Sequence, residues 1–164
     1  SHALPAPFFV IATQNPSTQM GTFMLPESQL DRFLMRLALG VPDRAAERSI
    51  LQGRDRREAL REMPELLSWE AMSAMQQQAR HVHVSPALLD YLQDLLAATR
   101  AEGRGLSPRG GLAVLHAARA WALMHGRAMV LPEDIQAVAP AVMGHRLDGG
   151  AETARRVVVE VAVP

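Results

Sequence analysis

The run Ser107-Pro108-Arg109-Gly110-Gly111-Leu112-Ala113-Val114-Leu115-His116-Ala117-Ala118-Arg119-Ala120-Trp121-Ala122-Leu123-Met124 decides the fold. Serine followed by proline marks a helix entry. The hydroxyl can accept an N–H that the first turn leaves unpaired, and proline's fixed φ suits the first helical position. Val114, Leu115, Ala118, Trp121 and Ala122 then recur at helical spacing among further alanines. This is expected to be the central, most buried helix, ended by Gly126.

The same pattern continues on both sides. Ser85-Pro86 repeats the entry before a helix that turns Leu88, Leu92, Leu95 and Leu96 inward, and His81 to Val84 before it reads as a brief extended connector. Ser68 caps a helix with Trp69, Met72, Met75 and Ala79 on one stripe, the methionines serving as core filling. Asp43 caps one through Leu51, and the charged stretch Gln52 to Met63 reads as surface helix or loop. Downstream, Pro132-Glu133-Asp134 opens a helix carrying Ile135, Val138, Ala139 and Val142, which Pro140 should kink or split. After Gly149-Gly150, the alanines and arginines of residues 151–161 argue for a helix and Val157-Val158-Val159 for a strand; helix is the reading adopted.

Upstream of Asp43 the periodicity is different. Phe8 to Ala12 has no polar break, as expected for a strand buried on both faces, and Gln14-Asn15-Pro16 ends it. Ser17 to Met24 reads as loop, Pro26 opens a short helix over Glu27 to Arg32, and Phe33 to Leu39 forms a second apolar run stopped by Gly40 and Pro42. Strand, short helix, strand is a parallel crossover, but two strands cannot make a sheet that buries both faces. The missing strands are expected upstream of Ser1 or in another molecule. The chain therefore reads as mainly α: the end of an α/β core over 1–42, a helical domain over 43–147 and a helical tail over 148–164.

Composition excludes several functions. Of 164 residues 48% are apolar and 21% charged, so a core can form, and 17 basic residues balance 17 acidic ones, so no global field recruits nucleic acid or an anionic membrane. No apolar run reaches the ~18 residues of a membrane span, and no secretory signal opens the chain, which makes a cytoplasmic setting the default expectation. With no cysteine there is no thiol nucleophile or Cys-ligated metal. Every basic residue is arginine, so the chain contains no P-loop lysine, and no strand ends in the paired acids that hold magnesium.

Three stretches together resemble the MoxR group of AAA+ ATPases, over residues 4 to 147. They are Phe9-Val10-Ile11-Ala12-Thr13-Gln14-Asn15-Pro16, Leu25-Pro26-Glu27-Ser28-Gln29-Leu30-Asp31-Arg32-Phe33, and Gly105-Leu106-Ser107-Pro108-Arg109-Gly110-Gly111-Leu112 with Val130-Leu131-Pro132-Glu133-Asp134-Ile135. The magnesium chelatase ATPase subunit is similar in design and is the nearest alternative. The resemblance implies a cytoplasmic ring ATPase, commonly hexameric, that remodels other proteins. It also implies ATP and Mg²⁺ as cofactors of the intact protein, and often a von Willebrand factor A domain partner in metallo-enzyme maturation.

Carried over position by position, the resemblance makes Asn15 sensor 1, Arg32 the arginine finger and Arg109 the sensor 2 arginine, with no metal ligand in the chain. Each role suits its residue. An amide at the carboxyl end of a strand can orient a water near a terminal phosphate. A guanidinium that is always charged suits the charge spreading over a transferring phosphoryl group. Arg109 lies in the first turn of a helix, where a cation opposes the dipole unless an anion stands nearby. The structural alternatives are an Asn-Pro turn at Asn15, pairing of Arg32 with Asp31 or Glu27, and an ordinary surface arginine at 109. His81 and His83 could share a face but lack a third metal ligand, and Arg54, Arg56, Arg57 and Arg61 are interleaved with acids.

Without a phosphate loop, the chain alone is expected neither to bind ATP tightly nor to hydrolyse it. The rival from a different class is a non-catalytic helical adaptor whose arginines only solubilise it. A nucleic-acid module would show affinity that falls steeply with salt.

Overall fold

Side-chain caps set the helix starts in the computed structural model, which describes residues 2–4, 8–14, 25–53, 56–101, 103 and 105–164, without the side chains of residues 56–58. After the single turn α1 (Glu27–Leu30), Asp43 Oδ1 accepts the Ala46 N–H at 2.8 Å to open α2 (Arg44–Leu51), and α3 (Arg56–Glu62) follows. Ser68 Oγ accepts from Ala71 N at 3.2 Å at the start of α4 (Trp69–His81). Ser85 Oγ accepts from Leu88 N at 3.1 Å before α5 (Pro86–Ala101), and Ser107 Oγ from Gly110 N at 3.1 Å before α6 (Pro108–Met124). The cap of α7 (Pro132–Met143) is different: the buried Asp134 carboxylate reaches back to the Leu131 N–H at 2.8 Å and pairs with Arg127. A 3₁₀ turn, Gly144–Arg146, and α8 (Gly150–Glu160) follow.

One core joins α5 to α8. Leu88, Tyr91, Leu92 and Leu95 meet Val114, Ala118 and Ala122 of α6 and Ile135, Val138, Ala139 and Val142 of α7, as their spacing predicts. Each fully buried aliphatic side chain contributes about 1.5–3 kcal/mol, so this stripe outweighs any single cap. Ala154, Val157 and Val158 of α8 complete the core, so the segment after Gly149 forms the expected helix and packs inside this unit. Thr99 is a buried polar residue at the edge of this core. Its hydroxyl donates to Leu96 O at 2.8 Å and accepts from Leu106 N at 3.1 Å, which ties the end of α5 to the entry of α6. The connectors before α5 and α7 meet in a parallel bridge between His83 and Met129. Among the described residues no helix is long and apolar enough to cross a membrane.

Several expectations are corrected. Neither Phe8–Ala12 nor Phe33–Leu39 forms a strand; Phe9 is 74% and Leu39 97% exposed. A buried strand needs a pairing partner for its backbone and a cover for each face, and the described residues provide neither. Phe9 instead lines a shallow cleft with Leu67, Trp69 and Met72. The second run has its backbone bonds taken elsewhere, since the Phe33 and Leu34 carbonyls accept from Arg146 and the Arg36 N–H donates to Ala141 O at 2.9 Å. Trp69, Met72 and Met75 are 38–45% exposed and so do not fill a core, because α4 meets α6 on one side and, among the described residues, no further layer buries its apolar stripe. Trp121 is likewise exposed, with its ring against His125. Of the kink or split expected at Pro140, the split does not occur: α7 runs unbroken to Met143.

The 3₁₀ turn and α8 cross at a glycine. A Cβ on Gly144 would stand 2.9 Å from the backbone N and Cα of Ala151. Backbone cannot rotate aside as a side chain can, so Gly144→Ala is expected to lower stability by about 1–3 kcal/mol. A shift in the urea unfolding midpoint, with unchanged helix content by circular dichroism, checks this. Gly126→Ala loses no packing space but is strained at φ +71°, which makes it a control for backbone strain alone.

Candidate functional site

α7 ends with carbonyls that have no partner inside the helix, as every helix does. Two groups from outside its regular turns satisfy them: the Arg36 N–H takes Ala141 O, and the Arg146 guanidinium takes Val142 O. The Arg146 side chain is only 5% exposed, and a buried cation requires acceptors on every side. It finds them in the turn after α1. Nε donates to Asp31 Oδ1 at 2.9 Å, Nη2 to Asp31 O at 3.1 Å and Phe33 O at 2.6 Å, and Nη1 to Leu34 O at 3.2 Å as well as to Val142 O. These acceptors match the five N–H donors of the guanidinium fork.

Arg32 lies inside the turn that Arg146 grips. Its N–H donates to Gln29 O at 3.2 Å and its side chain is exposed, while the carbonyls before and after it are fixed from below. Asp31 forms its ion pairs with Arg146 and Arg109, so the pairing of Arg32 with its neighbour does not account for this arginine. Arg109, in the first turn of α6, is 63% exposed with Nη1 4.0 Å from Asp31 Oδ2. That carboxylate is the nearby anion that relieves the unfavourable placement of a cation at a helix N-terminus. Ser107, the cap of the same helix, donates its hydroxyl to Asp31 Oδ2 at 3.1 Å. Asp31, Ser107, Gly105, His145 and Arg146 line one open pocket, with Glu27 and Ser28 on its rim.

Two groups here have displaced proton affinities. Partial burial pushes the Asp31 carboxyl upward, but hydrogen bonds from Arg146 and Ser107 and the charges of Arg146 and Arg109 outweigh it and leave the pKa below the ordinary carboxylate value. For His145, burial comes first and the neighbouring Arg146 charge adds to it, so the ring is held below the usual imidazole range even though the Phe33 and Ala141 carbonyls favour the charged form. Its Nε2 lies 3.1 Å from Phe33 O.

Asn15 lies outside the described residues, so the structure joins only Arg32 and Arg109, through Asp31. The sequence reading missed Arg146 and His145 as members of this cluster. The available signal was two ionisable residues within the apolar stretch from Ala137 to Leu147, since buried charges require partners. Of the other candidates, His81 Nδ1 is engaged by Gln77 O at 2.8 Å, and Arg54 lies outside the described residues, as do the side chains of Arg56 and Arg57. Among the described residues no group of three His, Asp or Glu could hold a metal ion.

Residues 96–162 match the AAA lid domain and residues 1–35 the ATPase family associated with various cellular activities (AAA). The chain is 37% identical over 158 residues to Chaperone MoxR1 of Mycobacterium tuberculosis, covering 88% of this chain and 41% of that protein. It is 33% identical over 160 residues to Protein MoxR of Paracoccus denitrificans, covering 84% and 47%. The chain is similar to the C-terminal region of MoxR-family AAA+ ATPases. The Uncharacterized protein YeaC of Bacillus subtilis is 37% identical over 147 residues, covering 88% of this chain and 46% of that protein. A crystal structure from Cytophaga hutchinsonii, provisionally designated an ATPase, superposes with a TM-score of 0.79 at 28% identity, covering 98% of this chain and 55% of the other. The chain thus spans less than half the length of these curated relatives.

The histidine supplies a test of the cluster. Its folded pKa lies below the unfolded value of 6.5, so the unfolded chain binds the proton first on acidification. Stability is expected to be full above pH 6.5 and to fall as pH drops from there through the lower folded pKa. Replacing His145 with glutamine should flatten that part of the curve. Thermal midpoints of both proteins between neutral and mildly acidic pH measure the difference.

Proposed function

We propose that this chain supplies the lid and the nucleotide-facing arginines of a MoxR-type AAA+ ATPase. Arg32 acts as the finger on a neighbouring subunit's nucleotide, Arg109 as sensor 2, and Asn15 as sensor 1. The observation that carries the proposal is the grip of Arg146 on both sides of Arg32, which leaves one exposed guanidinium on a fixed backbone. A finger requires that combination. It reaches outward, yet a displacement of about 1 Å can cost ~10²-fold in rate.

The chain's cations fit a polyphosphate. Arg109 is exposed at a helix N-terminus, where backbone N–H groups and dipole already favour an anion, and its hold on Asp31 at 4.0 Å is loose enough to yield to a phosphate. ATP with Mg²⁺ supplies the transferable phosphoryl group. Arg109 binds and orients its phosphates, Asn15 orients the attacking water, and Arg32 stabilises charge that develops on the equatorial oxygens. A lid that carries Arg109 and touches the Arg32 turn through Asp31 can pass nucleotide occupancy to the next subunit as relative movement. Kinship with a protein named Chaperone MoxR1 supports remodelling as the work done. The family likeness extends the proposal to a hexameric, cytoplasmic ring with a von Willebrand factor A domain partner in metallo-enzyme maturation.

In the complete ATPase, Arg32→Ala should leave ATP binding within a few-fold and lower kcat by on the order of 10³-fold. Asn15→Ala should also hydrolyse poorly, from within its own site. Mixed rings of the two variants, with subunit exchange verified by mass, should exceed the sum of the parts in steady-state ATPase. An exchanged mixture no better than its components contradicts action of Arg32 across the interface.

A further inference from the structure

Asp31 sits between two exposed arginines and is itself half-buried. Its Oδ1 accepts from Arg146 Nε at 2.9 Å and its Oδ2 from Ser107 Oγ at 3.1 Å, and Arg109 Nη1 stands 4.0 Å from that same Oδ2. Ser107 caps α6, so the carboxylate touches the start of the helix that carries Arg109. Its own backbone belongs to the turn that carries Arg32. The two oxygens divide the work: Oδ1 is committed to a buried cation, whereas Oδ2 faces a hydroxyl and an exposed guanidinium.

We propose that Asp31 is a positioning residue that couples the two arginines: locked by Arg146 and Ser107 it fixes the turn behind Arg32, and its outer oxygen draws Arg109 away from the phosphate site. This rests on the reading of Arg32 and Arg109 as nucleotide-facing groups. A phosphate offers Arg109 more charge and a bidentate geometry, so it wins the competition, but against a penalty set by Asp31. Once Arg109 leaves, the Asp31 charge is shared by Arg146 and Ser107 alone, which tightens the turn that presents Arg32. Occupancy of one site thereby favours the finger at the next, and linkage requires the reverse influence in equal measure on binding.

Asp31→Asn in the complete ATPase separates this from a structural role. Asparagine keeps the size and an acceptor oxygen, and removes the charge. ATP affinity should rise roughly two- to five-fold, the range an exposed ion pair can supply. At the same time kcat should fall about ten-fold or more, since the turn behind Arg32 loses its charged anchor. In an Arg109→Gln background the gain in affinity should vanish, and in an Arg32→Ala background the loss in kcat should vanish, because each effect acts through that arginine.

Weaker ATP binding that persists in the Arg109→Gln background, or unchanged affinity and kcat, overturns the proposal. If Arg32→Ala alone hydrolyses normally, the underlying reading of Arg32 fails; if Arg32→Ala is inactive and Asp31→Asn behaves as wild type, only the coupling fails. Should Asp31→Asn not assemble, Asp31→Glu carries the test. It keeps the charge, so affinity should stay near wild type, and its extra methylene displaces the turn, so kcat should fall; an unchanged kcat overturns the proposal.

Discussion

The buried guanidinium of Arg146 is the interaction on which the arrangement of the site depends. Its Cα belongs to the 3₁₀ turn after α7, and its donors reach carbonyls and a carboxylate more than a hundred residues earlier in the chain. Desolvating such a group is costly, and only a nearly complete set of acceptors offsets it. That requirement makes the contact specific. A lysine offers three donors from one nitrogen and cannot span the carbonyls of Asp31, Phe33 and Leu34 together with the Asp31 carboxylate. The helical unit therefore fixes the backbone of residues 31–34, which in turn fixes the direction in which Arg32 leaves the surface.

Local chemistry was readable wherever a side chain acts on its own backbone neighbourhood. Asp43, Ser68, Ser85 and Ser107 cap helices as their positions predict, and the apolar stripes of α5 and α7 are buried as their spacing requires. The apolar runs at Phe8 and Phe33 were misread for the opposite reason. Strand formation depends on a partner, and a run of apolar residues announces a need for burial without saying what meets it. The Trp69, Met72 and Met75 stripe fails in the same way: helical periodicity is correct there, and the inference of a core is not.

The site divides along the same line. Arg32 and Arg109 stand out in the sequence because motifs surround them, and Arg109 also because helix electrostatics disfavours it. Asp31 was visible only as a rival explanation for Arg32, since adjacency in sequence suggests pairing. Its partners lie on α6 and beyond α7, at separations no local pattern encodes. His145 is hidden similarly, as its environment is created by Phe33 and Arg146.

The threonine at the end of α5 has a consequence for how this surface can diverge. Thr99 closes the connection to α6 at its base by accepting the Leu106 N–H, one residue before Ser107. The hydroxyl thus acts as a mechanical terminus: it holds, from the neighbouring helix, the amide that precedes Ser107. Exposed positions of α5 can diverge without disturbing the cap as long as Thr99 stays, whereas loss of this one hydroxyl would loosen the entry to α6 without touching it.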